Sequence, residues 1–286
     1  MSRLRQRMIE AMRQRGYSVR THQAYLGAIS DLARYFHRSP DHLAAGEVRN
    51  YFRHLVIERG LSASTCRQYY HAARFLYREV LEWEDFDFAI ALPKRPQRLP
   101  ELLSGAEVAA LLAACANPKH RALLATCYGC GLRVSELVNL RVAHIDGERR
   151  LLRVEQGKGA KDRLVPIGPS LLEHLRAYWR LYRPSTCLFP SATHPARAVS
   201  VSTAQKVFQH ARAAAGIDKI GGIHALRHAY ATHQLAAGLP LHDLQHYLGH
   251  RDLRTTMRYL HWVPNYHAGQ VQPDLIGQLP GAVRRG

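Results

Sequence analysis

Apolar side chains recur at helical spacing through most of the first 92 residues. Tyr25, Ile29, Leu32 and Phe36 share one face of a 3.6-residue helix, and Cys66, Tyr69, Ala73, Leu76 and Val80 share another. The spacing predicts at least four helices here. Their joints fall at Ser39-Pro40-Asp41 and at Gly60-Leu61-Ser62-Ala63-Ser64, where a Ser or Asp side chain can accept from the free N–H groups that open the next helix. The pattern breaks at Pro93-Lys94-Arg95-Pro96-Gln97-Arg98-Leu99-Pro100, whose prolines remove donors that helix and sheet both need. It resumes at Ser104-Gly105-Ala106-Glu107, which has capping-box spacing ahead of an alanine- and leucine-rich run. Further helices are predicted over 169–182, 203–215, 225–237, 241–248 and 252–262. Residues 151–156 and 163–167 instead alternate and are β-rich. They predict a hairpin whose tip, Gly157-Lys158-Gly159-Ala160-Lys161-Asp162, carries two lysines. The expected fold class is mainly α with a small β-hairpin, that is α+β. The expected organisation is a helical domain at 1–92, a basic Pro-rich linker at 93–100 and a second domain at 101–286, the length sufficing for two cores.

Charge narrows the partner. Lys and Arg number 40 against 22 Asp and Glu, a formal balance of +18, and the pI is near 10.2. Such a surface suits a polyanion, with double-stranded nucleic acid ahead of a membrane. No apolar run approaches the roughly 18 to 20 residues that span a bilayer, and the Arg-rich start lacks the apolar stretch of a secretory signal. No membrane association is therefore expected. Cys66, Cys115, Cys127, Cys130 and Cys187 sit mostly in apolar helical patterns, as reduced thiols of a cytoplasmic protein do. Cys127 and Cys130 have the spacing of a zinc or redox pair but lack a second pair. His246 and His250 are four apart, but no Glu follows His246. Neither metal nor cofactor is expected. The linker cations Lys94, Arg95 and Arg98, the hairpin residues Lys161 and Arg163, and Arg67 of the first domain are the candidate DNA contacts, with the linker lying along the phosphates.

The remaining residues can do chemistry on a phosphodiester. Its charge repels nucleophiles and becomes more concentrated in the transition state, so fixed cationic donors are needed. Arg133 and Arg227 supply guanidinium forks, Lys158 an ammonium, and His224 and His250 imidazoles that titrate near neutrality. Tyr259 supplies a hydroxyl. If 252–262 is one helix, Leu253, Met257 and Leu260 form a stripe and Tyr259 points roughly 130° from its centre, so the phenol is expected to be free of the core.

Four segments, Gly131-Leu132-Arg133-Val134-Ser135-Glu136-Leu137, His224-Ala225-Leu226-Arg227-His228, Leu248-Gly249-His250 and Tyr259 nine residues on, together resemble the tyrosine recombinase (phage integrase) family over almost the whole chain. The resemblance implies a SAM-like core-binding DNA-binding domain at 1–92 and a catalytic domain at 101–286. It implies a site-specific recombinase or integrase that needs neither metal nor ATP and links DNA to the protein through a 3′-phosphotyrosine. It also implies action on duplex DNA as a homo-oligomer, a tetrameric synapse. By the same resemblance Arg133 and Arg227 are the catalytic arginines, His224 a phosphate ligand and the proton carrier for the attacking phenol, His250 a phosphate donor, Lys158 the general acid with Lys161 as fallback, and Tyr259 the nucleophile. Glu136 is read as orienting nearby backbone or a guanidinium, and His228 as support for the fold. Ser62-Ala63-Ser64-Thr65 and Phe75-Leu76-Tyr77-Arg78-Glu79-Val80-Leu81 resemble the integron and mobile-element branch. Residues 182–222 are too few for the extra helical insertion of integron integrases, so duplex sites of a mobile element, or Xer-like resolution, are expected. The alternatives are a type IB topoisomerase and a non-catalytic DNA-binding accessory factor.

Overall fold

A computed structural model describes residues 2–83, 90, 92–93, 101–155, 162–263, 266 and 275–280. The chain divides into two compact units, Met1–Leu99 and Pro100–Gly286. Both are mainly helical, and the second carries a small antiparallel sheet.

The first unit opens with α1 (Arg3–Gln14) and α2 (Val19–Phe36). Ser2 and Ser18 cap them by accepting from Arg5 N and Thr21 N. A 3-10 turn at Pro40–His42 leads to α3 (Ala45–Ile57), and α4 (Ala63–Arg74) starts from Ser62, the cap expected from the sequence. The helix then widens into a π-helical stretch, Phe75–Val80. Met8, Met12, Leu32, Val48, Phe52, Leu55 and Leu76 fill the core. Tyr69 and Tyr70 are partly buried against it, and the Tyr69 hydroxyl donates to Asp31. The linker cations Lys94, Arg95 and Arg98 lie outside the described residues.

The second unit begins with α5 (Gly105–Ala113), where Ser104 and Glu107 form the reciprocal capping box. Asn117 caps α6 (Pro118–Gly129), which ends at Gly131 in the left-handed conformation (φ 58°). This reversal allows α7 (Val134–Val138) to start immediately at Arg133. A Cβ at residue 131 would overlap the buried Tyr230 ring. Gly131→Ala is thus expected to cost about 2–4 kcal/mol, combining the left-handed backbone penalty with overpacking. Denaturant unfolding would show it; an unchanged midpoint would mean the turn relaxes freely.

The sheet is β1 (Ile145–Asp146), β2 (Leu151–Val154) and β3 (Arg163–Pro166) in that order, all antiparallel, with Leu152 opposite Val165 and Val154 opposite Arg163. The hairpin is the expected one; β1 is an addition that its two residues could not signal. Alternation turns Leu152, Val154, Val165 and also Arg163 inward, while Leu164 faces out. Helices α8 (Pro169–Tyr182), α9 (Val201–Ala214), α10 (His224–Ala236) and α11 (Leu241–Leu248) follow. α10 runs through the centre: Leu226, Arg227, Ala229, Tyr230, Ala231 and Leu235 are all buried. The predicted helix at 252–262 divides into α12 (Leu253–Met257) and a 3-10 turn, Arg258–Trp262. Leu275, Ile276 and Leu279 return to the same core.

Candidate active site

Two glycines aim the backbone at the centre of the site. Gly131 ends α6 and Gly249 (φ 62°) ends α11, both left-handed, which leaves nearby carbonyls pointing away from their helices. Arg227, 1% exposed, fills the space between them. It donates to Gly131 O and Leu248 O, each at 2.7 Å, and to His250 Nε2 at 3.0 Å. Arg133 donates to Gly249 O at 3.1 Å. Arg133, at the N-cap of α7, and Arg227 of α10 thus clamp the α6 and α11 turns together.

Glu136 is the common counter-charge. Its carboxylate accepts from Arg133 NH1 (2.7 Å) and the Arg133 backbone N–H (2.9 Å), and takes a fork from Arg163 at 2.9 and 2.8 Å. Arg227 NH1 stands 3.9 Å away. Burial by itself would raise the carboxyl's pKa; the bonds and charge of Arg163, then of Arg133, overcome this and bring it down to about 2. A folded value below the unfolded one of about 4.3 means stability that is full above the latter and fades as pH falls from it towards 2. Glu136→Gln should therefore lose about 3–5 kcal/mol at neutral pH, the cost of leaving buried guanidiniums without their partner. The gap between wild-type and variant melting temperatures should shrink on acidification through that window. A gap independent of pH would mean that packing, not charge, sets it.

Arg163 corrects a sequence expectation. It is not a DNA-facing cation of the hairpin: it is 7% exposed, paired with Glu136, and donates through Nε to Tyr247 O. It has the same strand parity as the core residue Val165, and that signal was present in the sequence. Lys158 and Lys161, at the hairpin tip, lie outside the described residues.

Tyr259 corrects a second. The phenol is not free of the core but 6% exposed within it, while Leu253 and Met257, two of the three residues of the expected core stripe, are 40% and 47% exposed. Leu260, the third residue of that stripe, is partly buried against the core, and the Tyr259 ring is enclosed by His228, His250 and Trp262. Tyr259 Oη lies 3.0 Å from His228 Nδ1, and its ring stacks nearly parallel on His250, centroids 6.4 Å apart. His228, read from sequence as support for the fold, therefore sits at the phenol. His224, one turn earlier on α10, meets His228 edge to face at 4.6 Å and presents an exposed residue to solvent.

The site holds its imidazoles neutral. His250 is pushed down to about 3, first by burial and then by Arg227, Arg133, Arg163 and His224. Both its nitrogens are engaged, Nδ1 with Thr256 Oγ1 at 2.8 Å and Nε2 with the Arg227 guanidinium. The Nδ1–H tautomer satisfies both. His224 is also lowered, by desolvation, then Arg227 and Arg133. Arg227 falls to about 10, chiefly through burial, and so remains charged at neutral pH. The Tyr259 phenol is raised by burial, against the opposing pull of Arg227, Arg258 and Arg133. The predicted residues Arg133, Arg227, His224, His250 and Tyr259 thus converge on one buried-to-surface cluster. Arg67 lies in the first unit, partly buried on α4. Cys127 and Cys130 are buried and free, their thiols pushed up to about 12 by burial, and no cluster of metal-ligating side chains occurs among the described residues. Nor, among those residues, is any helix long and apolar enough to cross a membrane.

Residues 101–265 match the phage integrase family, and residues 4–85 match its N-terminal SAM-like domain. A Sinorhizobium fredii protein described as an integrase/recombinase is 42% identical over 270 residues, spanning 93% of this chain and 86% of its own. The tyrosine recombinase XerD of Pseudomonas putida is 40% identical over 200 residues, 66% of each chain. A solved lambda integrase dimer on a core site shares the fold with a TM-score of 0.73 at 19% identity, covering 88% of this chain and 95% of that one. With a nearly full-length relative at that identity and a family match over most of the second unit, the chain belongs to the phage integrase family and is a site-specific tyrosine recombinase acting on DNA.

Proposed function

We infer that the protein cuts and rejoins duplex DNA of a mobile element by attack of Tyr259 on the scissile phosphate, giving a 3′-phosphotyrosyl link and a free 5′-hydroxyl. The observation that carries this reading is the convergence of a buried phenol with two guanidiniums and three imidazoles. Arg133 and Arg227 neutralise the phosphate oxygens, and His224 donates from the exposed edge of the site. His250 braces Arg227; once the guanidinium releases Nε2, the ring shifts to its Nε2–H tautomer, with Nδ1 accepting from the Thr256 hydroxyl, and donates to phosphate. Lys158 protonates the leaving 5′-oxygen. Because the guanidiniums already supply the charge stabilisation that a metal would bring, and the phosphotyrosine conserves the bond energy, rejoining needs neither metal nor ATP.

Residues 1–92 serve as the core-binding domain, 93–100 as a linker whose Lys94, Arg95 and Arg98 follow the backbone phosphates, and 101–286 as the catalytic domain, with Lys161 as a further contact. In the first unit Arg67 shares an open groove of about 540 Å³ with Arg20, Ser64, Gln68 and His71. Among the described residues no acid lines this groove, as suits a phosphate backbone. The lambda integrase relative is a dimer on DNA; this protein acts in the cytoplasm as a homo-oligomer, a tetramer across two sites. Sequencing the DNA covalently captured on the protein in its native cell should yield a discrete duplex site. Transfer of that site between plasmids would support recombination. Relaxation of any plasmid without recombinants would indicate topoisomerase action instead.

A further inference from the structure

We propose that His228 is the proton acceptor for the Tyr259 nucleophile, a catalytic residue to which the motif itself gives no chemical task. The proposal rests on the reading of Tyr259 as nucleophile and moves the destination of its proton from His224, which the resemblance implies, to His228.

Geometry selects His228 among the three imidazoles. Its Nδ1 stands 3.0 Å from Tyr259 Oη, within range for direct proton transfer. Among the described residues no hydrogen bond joins His224 or His250 to the phenol. His250 presents its ring face to Tyr259, and both its nitrogens are occupied by Thr256 and Arg227. His224 contacts His228, at 4.6 Å between ring centroids and 79° between planes. His228 follows His224 by four residues on α10, so the two rings lie one turn apart on one helix face. That face meets the 3-10 turn carrying Tyr259, where the rings of His228 and Tyr259 tilt together at 5.6 Å.

Protonation states agree with this geometry. The phenol, raised by burial, keeps its proton at rest and must lose it to attack. The groups facing His228 are His224 and Arg227 from its own helix, and Arg258 and Tyr259 from the 3-10 turn. Burial, then His224, Arg227 and Arg258, lower His228 to about 4, so the ring is neutral. In its Nε2–H tautomer, the one that matches a protonated phenol, the Nδ1 lone pair accepts from Oη. An arriving phosphodiester offsets the surrounding positive charge and makes the ring more basic when the proton must move. In the step, the Oη–P bond forms as the P–O5′ bond breaks. The phenol proton passes to His228 Nδ1, and the leaving 5′-oxygen takes a proton from the general acid assigned to Lys158. Rejoining runs the same transfers backwards.

The test is single-turnover cleavage of a nicked suicide duplex carrying the captured site, using the full chain. His228→Ala should cleave about 100-fold or more slowly, with DNA affinity retained. His228→Gln, which keeps a hydrogen-bond acceptor but cannot take up a proton, should show a similar loss and also serves if the alanine variant fails to fold. Placing 3,5-difluorotyrosine at 259 makes the phenol more acidic. It should restore at least about tenfold of the lost rate in either variant while changing wild type little. A 5′-bridging sulfur at the scissile phosphate needs no proton to leave; it should restore Lys158→Ala but neither His228 variant. Wild-type rates in the His228 variants, or a loss that the fluorinated phenol does not relieve, would overturn the proposal and return His228 to a packing role. Failure of wild type to form an adduct at residue 259 would instead remove the nucleophile assignment.

Discussion

Tyr259→Phe is expected to abolish the covalent DNA–protein adduct on a nicked suicide duplex while leaving DNA binding intact. The hydroxyl is the only atom lost. The ring remains in a site bounded by His228, His250 and Trp262, and His228 Nδ1 loses its hydrogen-bond partner. Stability should therefore fall by about 1–3 kcal/mol at most, the cost of leaving one buried group unpaired. Cleavage has no such substitute. Removing the nucleophile from a covalent mechanism lowers the rate by on the order of 10⁴-fold or more, below detection for adduct formation. Gel-resolved adducts measured alongside an equilibrium binding assay separate the two effects. An adduct of undiminished yield in the phenylalanine variant would show that another residue attacks.

The second large effect is expected at Arg227, where chemistry and architecture coincide. Arg227→Ala removes a preorganised positive charge from the transition state. A single arginine in this role on a transferring phosphoryl group is worth about 10³-fold or more in rate. It also leaves Gly131 O and Leu248 O without their donor, at about 1–3 kcal/mol for each group left buried and unpaired. Both a steep fall in single-turnover rate and a lower melting temperature should follow. Arg227→Lys separates the two. A lysine retains charge, but one ammonium cannot span the carbonyls at the ends of α6 and α11 while also facing phosphate as a planar fork does. Partial recovery of stability with cleavage still depressed is the expected outcome. Full recovery of rate in the lysine variant would show that charge alone matters and that the clamp is dispensable.

Much of the architecture was legible as local pattern. Helix boundaries at Pro169–Tyr182 and Leu241–Leu248, the Ser62 cap and the Ser104/Glu107 box all arise from interactions within a few residues of one another. The segment at 252–262 resisted such reading. A wheel drawn from one segment cannot show which neighbour it meets: the His228 ring of α10 meets Tyr259, while Leu253 and Met257 are left exposed.

The sequence by itself determined the helical character, the hairpin, the cationic balance and the residue types of the site, since each follows from composition or from spacing along the chain. Tertiary structure alone decided how those residues are employed. It buried Arg163 against Glu136 instead of leaving it for DNA, engaged both nitrogens of His250, and set His228 rather than His224 against the phenol. The physical reason is that a hydrogen bond is fixed by distances of about 3 Å and by direction. Partners separated by 27 residues, as Glu136 and Arg163 are, or by 31, as His228 and Tyr259 are, acquire that geometry only when the elements carrying them have packed.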